Sequence, residues 1–145
     1  MRLWHYKLLP YLPDAQFRGQ LRELVAIMHD WRDKGTTNHL LINKVMEYPK
    51  GRLSSYFWLY REEYIRRYKK PFSDKITDEF FRFAEGDYFT IKPFKNWHNK
   101  EYLRVCMANL YEKHFFGVGK SRITDEEWET LCKGYKEITN EEWVL

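Results

Sequence analysis

Apolar positions along the chain recur at three- and four-residue spacing, the period of an α-helix with one buried face. The entry segment from Leu3 to Pro13 is biased toward extended or irregular backbone by Pro10 and Pro13. Asp14 is a candidate N-cap for a first helix in which Phe17, Leu21, Leu24 and Met28 share a face. That helix ends near Lys34-Gly35, a basic residue followed by glycine. Thr37 is placed to cap a second helix carrying Leu40, Leu41, Val45 and Met46, with Pro49 ending it. A third helix follows Lys50-Gly51-Arg52 and runs to about Tyr68, rich in aromatic residues, until Pro71 closes it. Thr77 opens a short helix through Phe80, Phe81 and Ala84, ended by Gly86, and Asp87 to Trp97 reads as loop.

Asn99 caps a helix to about His114 with Tyr102, Leu103, Cys106, Met107 and Leu110 inward. Two capping boxes follow, Thr124-Asp125-Glu126-Glu127 and Thr139-Asn140-Glu141-Glu142. No segment sustains the alternation of a strand, so the pattern predicts an all-α fold. No linker or repeat interrupts it. A single domain over residues 1–145 is expected, a basic helical body over 1–122 and an acidic helical segment over 123–145.

Composition sharpens this picture in two places. The chain has 145 residues, 43% hydrophobic, which excludes a disordered protein, and no apolar run approaches the ~18 residues of a membrane span. The net charge of +4 is unevenly placed: +7 over residues 1–72, +2 over 73–122 and −5 over 124–145. A basic front half is what a polyanion-binding surface needs, although an ordinary solvated surface has the same signature. Aromatic residues make up 19% of the chain, most at helical spacing that reads as core, leaving a minority for stacking on bases.

Other chemistry is excluded by spacing. Cys106 and Cys132 stand alone, without a C-x-x-C or a companion histidine, and the five histidines form no metal-ligand pattern, so neither metal nor cofactor is expected. Gly117-Val118-Gly119-Lys120-Ser121 resembles the end of a phosphate-binding loop, but His114 stands where the first glycine is required. The N-terminus lacks the apolar stretch of a signal peptide, which predicts a cytoplasmic protein whose first residue is that of the mature chain.

The first helix carries the most informative constellation. With Phe17 at 0° and about 100° per residue, Glu23 falls at about 240°, off the main apolar face, beside Gln16 at about 260° and Gly19 at about 200°. Small residues around one carboxylate admit either a ligand or a neighbouring backbone, and Arg18 and Arg22 line the adjacent side.

Met1-Arg2-Leu3-Trp4-His5, then Leu12-Pro13-Asp14, then Gly19-Gln20-Leu21-Arg22-Glu23-Leu24, resemble the pyrimidine-dimer DNA glycosylase family, phage endonuclease V among its members. The run His98-Asn99-Lys100-Glu101-Tyr102-Leu103, leading into Cys106 and Asn109-Leu110, is similar to phage and bacterial members as well. The resemblance implies a compact all-α bundle that excises a base and then cleaves the abasic site. It implies that the α-amine of Met1 attacks the sugar C1′ to form an imine, with Glu23 as the essential carboxylate. An α-amine with an ordinary pKa near ~7.7–8.0 is partly neutral at physiological pH, which suits it to this attack. Arg2 and Arg22 would hold phosphates flanking the lesion, with Arg18 beside them, and His5, Gln16, Gly19 and His98 would border the pocket. The implied partner is damaged or abasic DNA. The alternative is a non-enzymatic relative that holds a nucleotide or nucleic acid in the same basic pocket. The acidic C-terminal segment departs from the family, whose DNA grip includes an aromatic, lysine-containing C-terminus.

Overall fold

The computed structural model describes residues 2–37, 39, 42–87 and 89–144. Among these residues the chain forms five α-helices and three short 3-10 helices, and no strand. The fold is all-α, as the helical spacing requires. The helices are α1 (Asp14–Lys34), α2 (Lys50–Tyr68), α3 (Asp74–Phe83), α4 (Lys100–Phe115) and α5 (Asp125–Thr139). Contacts divide the chain into two units, one built from residues 2–3 with Gln20–Lys95, the other from Trp4–Gly19 with the residues from Asn96 onward.

The first unit is organised by aromatic packing. Helix α2 lies against α3, and the rings of Phe57 and Phe80 stack in parallel with centroids 4.1 Å apart. Phe72 meets Phe57 edge-on. Leu24, Ile27 and Met28 of α1 and Leu53, Tyr56 and Tyr60 of α2 are fully buried. The buried face of α1 is therefore rotated slightly from the one expected: Ile27 is inside and Leu21 is only half-buried.

In the second unit α5 packs on the 3-10 helix Tyr6–Tyr11 and on α4. Leu131 and Tyr135 of α5 are fully buried with Leu103, Cys106, Met107 and Leu110 of α4. Gly134 is what permits the approach of α5, because a Cβ there would lie 2.4 Å from the Tyr11 ring. The acidic segment spends its charge locally. Glu127 completes a capping box with Thr124, Glu137 accepts the Tyr11 hydroxyl, and Glu141 pairs with Lys100 at 2.6 Å.

Several local expectations are corrected. The entry segment is a 3-10 helix over Tyr6–Tyr11, not extended chain, and His5 starts it by accepting the Lys7 N–H. Asp14 lies inside the first turn of α1 and pairs with Arg18 at 2.8 Å. The second helix is a short 3-10 turn over Ile42–Glu47. Thr37 does not cap it; its hydroxyl donates to the Asn43 side chain, and Leu40 and Leu41 lie outside the described residues. Helix α3 is capped by Ser73, not begun by Thr77, whose hydroxyl instead donates to the Ser73 carbonyl. Thr139 starts no helix: it is the last residue of α5, and Asn140 turns into the left-handed region at φ 61°.

Candidate functional site

Glu23 projects from α1 toward Arg2, within the first unit. The backbone N–H of Arg2 donates to Glu23 Oε2 at 2.9 Å. Gln20, one helical turn earlier and 1% exposed, donates from Nε2 to the Arg2 carbonyl at 2.6 Å. The same nitrogen lies 3.2 Å from Glu23 Oε2. The Tyr56 hydroxyl, buried on α2, donates to Gln20 Oε1 at 3.0 Å. One turn of α1 thus holds both the N–H and the C=O of residue 2. Among the described residues both donors to the Glu23 carboxylate converge on Oε2, and none meets Oε1.

This geometry can orient a carboxylate and fix the backbone beside it without immobilising the second oxygen. Glu23 is half-buried and Arg22 is exposed. A half-buried acid beside an exposed cation suits a site that reads both a sugar and its phosphates. Met1 lies outside the described residues.

The remaining residues singled out by sequence belong to the second unit. Arg18 is exposed and ion-paired with Asp14. Gly19 is half-buried within α1. Gln16 is buried and donates to the Ser121 carbonyl at 2.9 Å, a role in tying the loop after α4. His5 and His98 are both buried and stack with ring centroids 5.1 Å apart. Each uses Nδ1 as an acceptor, His5 for the Lys7 N–H and His98 for the Tyr6 N–H, both at 3.1 Å. Burial lowers both: His5 falls to about 4, with Lys7 adding to the effect, and His98 falls well below the ordinary histidine value, with His5 adding to it. Both rings are therefore neutral near pH 7. They border a cavity of about 190 Å³ together with Lys7, Asn99 and Lys100.

A cavity of about 410 Å³ opens elsewhere in the first unit, lined by Ser55, Trp58, Glu62, Phe81, Asp87 and Phe89 among others. Among the described residues its charged lining is the two carboxylates of Glu62 and Asp87 with no cation, the wrong sign for a phosphate backbone. Among the described residues no three His, Cys, Asp or Glu side chains gather in a metal-binding group, and no helix is long and apolar enough to cross a membrane.

Sequence reasoning missed Gln20 and Tyr56. On the helical wheel Gln20 falls at about 300°, between Ile27 at about 280° and Leu24 at about 340°. An amide between two buried apolar positions was the available signal. Tyr56 gave none, because its partner is 36 residues away.

The sequence model of the family described as pyrimidine dimer DNA glycosylase matches residues 1–76, slightly more than half of the chain. The chain belongs to that family. The matched segment contains Arg2, Gln20, Glu23 and Tyr56, the residues of the hydrogen-bonded group described around the carboxylate. Neither the curated proteins nor the solved structures return a significant match.

Proposed function

We propose that the protein is a DNA glycosylase with abasic-site lyase activity, in which the α-amine of residue 1 is the nucleophile and Glu23 the assisting carboxylate. The observation that carries this reading is the Arg2 N–H bound to Glu23 Oε2 at 2.9 Å. The α-nitrogen of residue 1 is three covalent bonds upstream of that amide. Bond lengths alone limit its separation from Oε2 to roughly 6.5 Å, close enough for one sugar to touch both groups.

The chemistry follows from those two groups. The neutral amine adds to C1′ of the damaged nucleotide as the N-glycosidic bond breaks, and the base leaves with the bonding electrons and takes up a proton. The added nitrogen then loses a proton, its lone pair opens the sugar ring by breaking C1′–O4′, and O4′ takes up a proton. The resulting C1′=N iminium is cationic, and the Glu23 carboxylate stabilises it. Loss of a proton from C2′ expels the 3′ phosphate by β-elimination, and hydrolysis of the imine returns the amine. Glu23 is the acceptor available for that proton. Arg2 and Arg22 supply cations for the flanking phosphates, and DNA is the partner that family membership implies.

The test is strand cleavage of two duplexes, one with a single cyclobutane pyrimidine dimer and one with a single abasic site. The protein used must carry no residues before Met1. Cleavage of both supports the reading. Tight binding without cleavage of either duplex would move the protein to the non-enzymatic alternative.

A further inference from the structure

We propose that Gln20 is a positioning residue that fixes the plane of the Glu23 carboxylate, so that the protein holds one oxygen and leaves the other to substrate. The inference rests on the function proposed above and extends it to a second layer of the same site. A glutamine in the buried arc of α1 costs free energy unless its amide is hydrogen-bonded. Gln20 is 1% exposed, and its amide is satisfied at both ends.

The orientation of that amide is fixed by chemistry. The Arg2 carbonyl and the Glu23 carboxylate accept but cannot donate, so the NH2 group must face them, at 2.6 and 3.2 Å. Oε1 must then face Tyr56, whose hydroxyl is the donor at 3.0 Å. The relay therefore runs in one direction, from Tyr56 to Gln20 to Glu23 Oε2. With the Arg2 N–H also on Oε2, that oxygen receives two donors. Turning the carboxylate out of this plane would break both bonds, and a half-turn only exchanges two equivalent oxygens, so one oxygen is held and the other is left to substrate. Through the Arg2 carbonyl, the same side chain also fixes the Arg2–Leu3 peptide plane, directly after the amide that Glu23 holds.

The experiment combines an exchange measurement with kinetics on Gln20→Met, Gln20→Glu and Tyr56→Phe. Amide exchange of Arg2, read by NMR, should accelerate at least tenfold in Gln20→Met, while amides in the α5 core keep their protection. In single-turnover cleavage of abasic-site duplex, Gln20→Met should lower the maximal rate about 10- to 100-fold, with half-saturation changed less than threefold. Gln20→Glu sets a carboxylate against two acceptors and can donate only when protonated. Its loss relative to wild type should be larger at pH 8 than at pH 5.5. Tyr56→Phe should lose less, about 3- to 10-fold, because Gln20 keeps its other partners.

Unchanged Arg2 exchange in Gln20→Met would overturn the proposal, whatever the DNA results. So would a defect confined to half-saturation, or a Gln20→Glu pH profile parallel to wild type. If wild-type protein cleaves nothing while Arg2 exchange still accelerates in Gln20→Met, the positioning stands and the catalytic reading falls.

Discussion

The backbone N–H of Arg2 and the carboxylate of Glu23 meet at 2.9 Å although they are 21 residues apart in sequence. The bond joins the chain start to the middle of α1 and puts the carboxylate next to the amide that follows residue 1. Glu23→Gln keeps the size of the side chain and an oxygen able to accept the Arg2 N–H, but removes the charge. Stability should change by about 1 kcal/mol or less, while the cleavage rate on abasic DNA should fall at least about 100-fold. Thermal melting and single-turnover kinetics measure the two together. A comparable loss of both would make Glu23 a structural residue.

Arg22 is exposed on the turn that carries Glu23. If it contacts a phosphate, Arg22→Ala should weaken binding to all duplexes alike and flatten the salt dependence. The slope of log K against log salt should lose about 0.9. Fluorescence anisotropy between low and moderate salt reads this directly, and an unchanged slope would remove Arg22 from the interface.

His5 and His98 should make the protein sensitive to mild acid. Burial holds both below the ordinary histidine value, His5 at about 4. Between that value and pH 6.5 the unfolded chain binds more protons than the folded one, so stability is complete above pH 6.5 and declines as pH falls. For His5 alone the loss down to pH 4 is about 3 kcal/mol. His98 acts in the same direction. His5→Asn keeps a side-chain acceptor for the Lys7 N–H and removes the titration. Its melting temperature should fall less steeply between pH 7 and 4.5 than that of wild type. Parallel curves would refute the assignment.

Gly134 admits the Tyr11 ring against α5. Gly134→Ala would set a Cβ 2.4 Å from Tyr11 Cγ, a conflict with the edge of a large ring that only movement of α5 or the 3-10 helix relieves. Helix propensity favours alanine by about 1 kcal/mol, so the expected net loss is the packing penalty of about 1–3 kcal/mol less that gain. Chemical denaturation measures it. A stabilised Gly134→Ala variant would show that the contact is slack.

The elements that sequence revealed are those set by short-range rules. Asn99 caps α4 and Thr124 with Glu127 boxes α5 because each cap bonds an amide two or three residues away. The same letters misled at Thr139, where no apolar stripe follows and the helix ends in a left-handed Asn140. Thr77 and Ser73 compete for one helix start, and Ser73 takes it because its side chain accepts the Ile76 N–H. At the site, Glu23 and Arg2 were legible through a resemblance of short motifs. The relay was not. The face read from Phe17, Leu21, Leu24 and Met28 is rotated slightly from the buried one, which takes in Ile27 and leaves Leu21 half-buried, and this hid Gln20 inside the buried arc. Tyr56 reaches Gln20 only once α2 has packed, and no local pattern encodes that.

Reductive trapping tests the central claim most directly. Borohydride added during reaction with abasic-site duplex should fix the protein to DNA, and mass spectrometric mapping should place the adduct on the α-nitrogen of residue 1. Glu23→Gln should lose the adduct. An adduct mapped to a lysine, or no adduct from protein with a native N-terminus, would contradict the mechanism.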